Sequence, residues 1–533
     1  MTQSSEQPSV REQIKAAVEK RRVAIEQNVV RSNGKIKIDS SLIMDCLDCN
    51  AMGDGILYAV LHNDKYVYNK SAAEWLRWAG NFWEMDLMEL HKGSVDQVCE
   101  TYLSQLDDLG EKVLWAIKKK DSKLEKKYRA KISSIYTRVK KLREKTGRES
   151  ALLFSHTNMT KSLAISGHLM DANPWLLACA NGVIDLRLGE LRAGDPSDYI
   201  TKNSPVEWHG LHAPAPAWEQ FLSEIFMADQ QMIAYVQRLF GYACAGLTVE
   251  HIVPILYGPA GRNGKGTLVK ILQQVMGSYS APIQAEMLLD QGRARSSSGP
   301  SPDILALRGL RMAFASETDE NRRFSTARVK WLSGGDMLVA RGLQEKRENR
   351  FDPTHTLFLL TNNLPDAPEE DSAFWERTHI VPFRMSFVRR DPQGKYERPA
   401  DIYLEDKLKQ ELPGVLAWLV RGCLQWQSIG MDPPDDVIEA SKEARQNEDY
   451  VTDFITRCCI LDEAETTSSA SLWRVFRAWW MVDVHPNGPP FRRKKFGQMM
   501  KRKFESGKTG KNGTIEYYGI GLIPDEHLDF AVE

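Results

Sequence analysis

The chain has no apolar run near the ~18 residues needed to cross a bilayer. Its start, Met1-Thr-Gln-Ser-Ser-Glu-Gln-Pro8, has neither the basic nor the apolar region of a secretory leader. Both absences point to a cytosolic protein with no membrane partner. Cysteine is sparse, eight scattered residues among 533, which suits a reducing compartment. Cys46-Leu-Asp-Cys49 has CxxC spacing, but no second CxxC or HxxxH follows. Only His91 and Cys99 could join it, at a spacing that fits no standard zinc module, so ordinary thiols are the preferred reading. Net charge is also nearly missing, −1 overall, and no internal repeat is visible.

The charge is segregated instead. From Lys118 to Arg148 there are 14 Lys/Arg against three Asp/Glu, a local net of +11, so the remainder sums to −12. A second basic cluster, Arg492, Arg493, Lys494 and Lys495 with Lys501-Arg-Lys503, lies near the C-terminus. Such patches favour a polyanion at defined surfaces.

Length predicts about three to four domains, placed at 1–160, 161–249, 250–430 and 431–533. Residues 1–35 are polar and read as a loose helical or disordered lead. Residues 36–90 carry Tyr58, Tyr66, Tyr68, Trp75, Trp78, Phe82 and Trp83, with Ile56–Leu61 and Lys65–Tyr68 reading as short strands. These rings could stack bases, but a small aromatic core is favoured. The stretch 95–147, without proline and almost without glycine, predicts one or two long basic helices, whose charged face is either solvated or tracks DNA. Asn181-Gly182 marks a hairpin. Residues 218–247 and 400–430 read as helical, and 250–385 alternates apolar strands with helices.

Chemistry concentrates in His251-Ile-Val-Pro-Ile-Leu-Tyr-Gly-Pro-Ala-Gly-Arg-Asn-Gly-Lys-Gly-Thr-Leu-Val-Lys-Ile-Leu272: an apolar strand, a glycine-rich turn, a lysine, then an amphipathic helix. In this order the residues predict a phosphate-binding loop, Gly258, Pro259, Ala260, Gly261, Arg262, Asn263, Gly264, Lys265, Gly266 and Thr267. Its amides and helix N-terminus would face phosphate oxygens, and Lys265 would reach the β- and γ-phosphates. Two positions depart from the common pattern. Pro259 stands where its first glycine is expected, and Gly266 displaces to Thr267 the hydroxyl that would face Mg²⁺.

An NTPase also needs an acid for metal or water, a polar sensor and an arginine. Arg311-Met-Ala-Phe-Ala-Ser-Glu317 is a strand ending in the candidate acid Glu317, with Asp319 and Glu320 able to share the metal role. Thr356-Leu-Phe-Leu-Leu-Thr-Asn-Asn-Leu-Pro365 carries Asn362 and Asn363 at its tip. Arg377 precedes a third apolar strand and is the candidate arginine finger.

With Val329-Lys-Trp-Leu-Ser-Gly-Gly-Asp-Met-Leu-Val-Ala-Arg341 between Glu317 and Asn362, the run Pro254–Phe383 resembles the superfamily 3 DNA helicases of the poxvirus and phage-plasmid primase-helicase type. Upstream, Asn181-Gly-Val-Ile-Asp-Leu186 and Asp195-Pro-Ser-Asp-Tyr-Ile-Thr201 resemble the domain preceding that helicase, so the likeness covers about residues 165–430 and, weakly, the rest. The resemblance implies a multidomain α/β protein: an AAA+-like P-loop NTPase core, an α+β N-terminal region and a C-terminal winged helix. It implies ATP and Mg²⁺ as cofactors and a homo-hexameric ring. Lys265, Glu317 and Asn362 would form one side of each site, with Arg377 from the neighbour and Thr267 and Glu317 at the metal. A hairpin over roughly Met337–Thr356 would grip single-stranded DNA through Lys346, Arg347 and Arg350.

The C-terminal pattern is a helix over Ser471–Trp480, a turn, a basic helix Phe491–Phe504, a loop Gly507–Gly513 and strand-like Thr514–Leu522. It has a winged-helix outline, suited to DNA through Arg492, Arg493, Lys494 and Lys495, or to protein docking. The expected function is an ATP-dependent replicative helicase of a phage or mobile element in a bacterial host cytoplasm. It would lack intrinsic primase activity and work beside a separate primase or other replication proteins. The alternatives are an ATP-gated origin-binding or loading factor, and a nucleotide kinase suggested by Gly264-Lys-Gly-Thr267.

Overall fold

The structure is a computed structural model that describes residues 38–158, 162–291, 299–316, 323–343, 348–365, 367, 371–446, 449–484, 492–509 and 514–524. The lead 1–35, Glu317, Asp319, Glu320, Lys346 and Arg347 lie outside the described residues. The chain is a mixed α/β protein that divides into two compact units. The first holds the described residues up to Asn173 together with Ala193–Lys202, and the second holds Pro174–Arg192 and everything from Asn203 onward.

In the first unit, helices Ser40–Asp48 and Asn50–Leu61 pack on helices Val95–Leu103, Leu106–Lys118, Ser122–Leu142 and Lys145–Ser155 around one apolar core. The 95–147 stretch is thus more finely divided than the one or two helices expected. Lys120, at φ +52, follows the end of one helix, and Asp121 starts the next by accepting from the amides of Lys123 and Leu124, an N-cap. Ile56–Leu61, expected as a strand, lies in helix Asn50–Leu61. That helix is buried on nearly all sides, so its apolar run carries no 3.6-residue period by which to tell helix from strand. Tyr66–Asn69 is a strand as read, pairing with Glu74–Trp78 and Ala164–Ile165. Tyr58 and Trp83 are fully buried and Trp75 stacks on His91 with centroids 4.9 Å apart, so these three rings build a core.

The second unit centres on five parallel strands: β1 Val253–Tyr257, β2 Ser280–Ile283, β3 Met312–Ser316, β4 Thr356–Thr361 and β5 Thr378–Pro382. Their spatial order is β5-β1-β4-β3-β2. Continuous apolar runs are what strands covered on both faces require. Val253, Ile255, Ala313, Ala315, Leu357, Leu359 and Ile380 supply one core. On the opposite face Phe358 stacks between Phe240 and Phe314, each 4.9 Å away. Phe240 belongs to helix Gln230–Ala245, which crosses helix Leu412–Ile429 where both carry glycine. A Cβ on Gly241 would sit 2.1 Å from the Cys423 nitrogen, and one on Gly422 would sit 2.0 Å from the Gln237 oxygen. Backbone-to-backbone approach at this crossing therefore requires both glycines.

The Asn181-Gly182 hairpin is present, but its two-residue turn is Ala180-Asn181. Cys179 pairs directly with Gly182, so this glycine already belongs to the second strand. In the C-terminal part, helices Asp449–Cys458, Ser469–Trp479 and Arg493–Lys503 pack with a three-stranded antiparallel sheet, Thr466–Ser468, Thr514–Tyr518 and Ser506–Thr509. The expected loop from Gly507 is a strand as far as Thr509. Its register, Lys508 opposite Ile515, comes from cross-strand pairing that composition does not reveal.

Candidate functional site

All five strands run the same way, so the segments leaving β1, β3 and β4 emerge at one edge of the sheet. That carboxyl edge is where open α/β sheets bind ligands. The glycine-rich loop leaves β1 and opens the twelve-residue helix Lys265–Met276. Gly264 caps the helix at φ +86, a left-handed conformation glycine adopts without cost, and a Cβ there would strike Ile225 Cγ2 at 2.6 Å.

Side chains brace the loop from within. The Asn263 amide donates to the carbonyls of Gly258 (3.2 Å) and Ala260 (2.7 Å) and is nearly fully buried. Its side chain therefore holds the loop's shape. Two contacts from far along the chain brace the apex: the Phe387 amide donates to the Arg262 carbonyl at 2.8 Å, and Ser386 Oγ to the Gly261 carbonyl at 3.1 Å. Neither residue was a sequence candidate, because nothing local marks a partner more than a hundred residues away.

Lys265 is 7% exposed, and its ammonium donates to Gly258 O at 3.1 Å and Asn362 Oδ1 at 2.8 Å. Asn362 arrives through register: Thr361 pairs with Tyr257, and the Gly258 amide donates to the Thr361 carbonyl. Asn363 instead turns back, its amide donating to Thr361 Oγ1 at 3.1 Å. Burial pushes the Lys265 pKa down to about 8, since its described partners are two neutral oxygens. A buried cation with only neutral partners calls for an anion. Positions that would face such a ligand are open: a Cβ on Gly261 or Gly266 would meet nothing within 4 Å. Thr267 is half-buried in the first turn of the helix. β3 ends at Ser316, one residue before Glu317.

Arg377 does not join this cluster. It precedes β5, whose first residue pairs with Val253 and whose last pairs with Tyr257. The strand rise places it ~20 Å from the loop, at the amino edge of the same sheet. There its Nη1 donates to Ser333 Oγ at 3.4 Å, and a Cβ on Gly334 would stand 3.9 Å from that nitrogen. The Gly334-Gly335-Asp336 turn and Arg377 therefore meet, a pairing the sequence did not disclose.

Just beyond that turn, Leu338–Ala340 and Asn349–Phe351 form an antiparallel hairpin, with Arg350 exposed opposite Val339. Arg350 thus sits in the returning strand. Arg492, Arg493 and Lys494 are exposed at the start of helix Arg493–Lys503, which also carries Lys495. All eight cysteines are buried, and among the described residues no group of three His, Cys, Asp or Glu could hold a metal ion.

Residues 56–227 match the family described as D5 N terminal like. The chain is 26% identical over 327 residues to "Putative helicase L207/L206" of Acanthamoeba polyphaga mimivirus, covering 58% of this chain and 33% of the relative. It is 24% identical over 407 residues to "Putative helicase 022R" of Frog virus 3, covering 63% and 41%. The match thus spans about a third to two-fifths of these relatives' length. Among solved structures, the apo C-terminal region (305-718) of NrS-1 aligns over 88% of this chain and 99% of its own, at 11% identity and a TM-score of 0.40. The resemblance read from the motifs is borne out in its D5-type form. The family match begins at residue 56, within the part upstream of residue 165 where the likeness read from the sequence was weak. These relatives are viral, and their names point to an amoeba and a frog, so they lend no support to a bacterial host. Among the described residues no helix is long and apolar enough to cross a membrane.

Proposed function

We propose that this relative of the D5-type viral helicases is an ATP-driven DNA helicase of a virus or mobile element, with an AAA+-like core assembled as a ring. The observation that carries the reading is the buried Lys265 ammonium, held between Gly258 and Asn362 with no described anionic partner. The loop fits a nucleoside triphosphate. Its open glycine positions leave room for phosphates, Lys265 would meet them, and Thr267 with Glu317 would hold Mg²⁺. Bound Mg²⁺ would neutralise charge on the phosphates. Asn362 can orient a water while it positions the lysine.

The remoteness of Arg377 from its own chain's loop supports a site completed by a neighbouring subunit, as in heterologous rings. The hairpin carrying Arg350, with Lys346 and Arg347 in its connection, is the element offered to single-stranded DNA. The C-terminal helices and three-stranded sheet support a winged helix, with Arg492, Arg493, Lys494 and Lys495 toward DNA.

Unwinding separates a motor from an ATP-gated loading factor. On a forked duplex, ATP with Mg²⁺ should release the labelled strand, whereas a non-hydrolysable analogue should support binding without release. ATP-dependent binding with no strand displacement would select the loading factor.

The lowered Lys265 pKa has a measurable consequence. Bound phosphates restore the charged form, so the bound state holds a proton that the free state gives up above about pH 8. Below that pH both states are charged, and this group adds no pH dependence. Above it, affinity for ATP should fall by up to about tenfold per pH unit. Equilibrium titrations between pH 7 and 9.5 would show the slope, and Lys265→Arg should flatten it. A flat wild-type profile would mean that Lys265 takes up no proton when ATP binds.

A further inference from the structure

The basic stretch of the first unit resolves into a 21-residue helix, Ser122–Leu142. Ile135, Val139 and Leu142 lie on its buried side. Its basic residues do not all face one way, and Lys123, Lys127 and Lys141 are exposed beside an outer stripe. Arg138 points inward and pairs with the buried Asp54 carboxylate at 3.2 Å, and Lys131 lies 4.0 Å from Asp48. On the outer side, Lys126, Arg129, Tyr136 and Lys140 follow one another at spacings of three, seven and four residues. At 100° per residue this forms a single stripe about 21 Å long.

Lys126 and Lys140 are exposed and have no ion-pair partner among the described residues, and Arg129 is shared with Glu125 at 2.8 Å. Tyr136 is 58% exposed in the middle of the stripe. From 119 to 143 the only acids are Asp121, spent on the helix cap, and Glu125. A merely solvated face would not need an exposed aromatic between unpaired cations. Alternation of cations and a ring suits a single strand, whose phosphates meet the cations and whose bases stack on the ring.

We propose that the outer face of helix Ser122–Leu142 is a second binding surface for single-stranded DNA, separate from the ATPase core. The choice of DNA rests on the function proposed above. The geometry of the stripe does not.

The test uses the full chain without nucleotide, in a Lys265→Ala background, with a fluorescent oligo(dT) followed by anisotropy across a salt series. Lys126→Ala, Arg129→Ala and Lys140→Ala combined should weaken binding at least about tenfold and lower the salt slope by about 2, as expected for three lost phosphate contacts. Tyr136→Ala should weaken binding by roughly five- to a hundredfold through lost stacking, leaving the slope unchanged. Far-UV circular dichroism and thermal melting establish that each variant is folded; Tyr136→Phe, which keeps the ring, should bind as the parent does.

Unchanged affinity and slope in both variants would overturn the proposal. So would an equal loss on duplex DNA or on oligo(U), since the surface would then be a general polyanion or RNA site. Failure of the ATPase reading is distinguishable: hydrolysis by the wild-type chain would be absent while oligo(dT) binding still responded to the stripe.

Discussion

Lys265→Ala should reduce ATP hydrolysis by about 10²–10³-fold, the usual cost of removing one charged donor from a water-poor site. Strand displacement should disappear with it. The side chain is buried, and its described partners are the neutral oxygens of Gly258 and Asn362. Its charge is therefore costly to the folded protein until an anion arrives. That gives the variant a second signature. A lysine kept for structure would leave a less stable protein when lost. Here Lys265→Met, which keeps the stem and removes the charge, should melt at the same temperature as the parent or higher while remaining inactive. Hydrolysis within tenfold of the parent in either variant would sink the assignment of the loop as the phosphate site.

Arg377→Ala should lower the rate at least as far, by about 10³–10⁵-fold on the scale of arginine fingers, but leave nucleotide affinity nearly unchanged. The distinction follows from position: within one chain the guanidinium lies at the opposite edge of the sheet from Lys265, beside Ser333 and Gly334. If it acts on the next subunit, the two defects lie on different faces and can complement each other. An equal mixture of Lys265→Ala and Arg377→Ala chains, each inactive alone, should recover about a quarter of the parent rate. In a randomly mixed ring one site in four pairs an intact lysine with an intact neighbouring arginine. No recovery from a mixture shown to co-assemble would refute a finger supplied in trans.

Much of the candidate site was legible because it is local. Strand, glycine turn, lysine and helix occupy about twenty consecutive residues, and a left-handed cap at Gly264 or an apolar run such as Thr356–Thr361 leaves its mark within a few positions. The C-terminal helices were legible for the same reason, through helical periodicity. Errors arose where burial erased periodicity, as in Ile56–Leu61, or where pairing overrode composition, as at Gly507. Upstream of residue 165 the family match was only weakly legible, because a buried helical core has few residues whose chemistry marks them.

The sequence by itself determined which residues carry chemistry and the order in which they come. Only the tertiary structure decided who meets whom. Asn362 reaches Lys265, 97 residues away, because Thr361 lies opposite Tyr257. Arg377 stands apart because β5 starts where β1 starts. Ser386 and Phe387 hold the loop from outside it. Lys126 and Lys140 face outward while Arg138 turns to Asp54. The physical reason is common to all four: hydrogen-bond register and packing direction are relations between distant segments, and no local period encodes them.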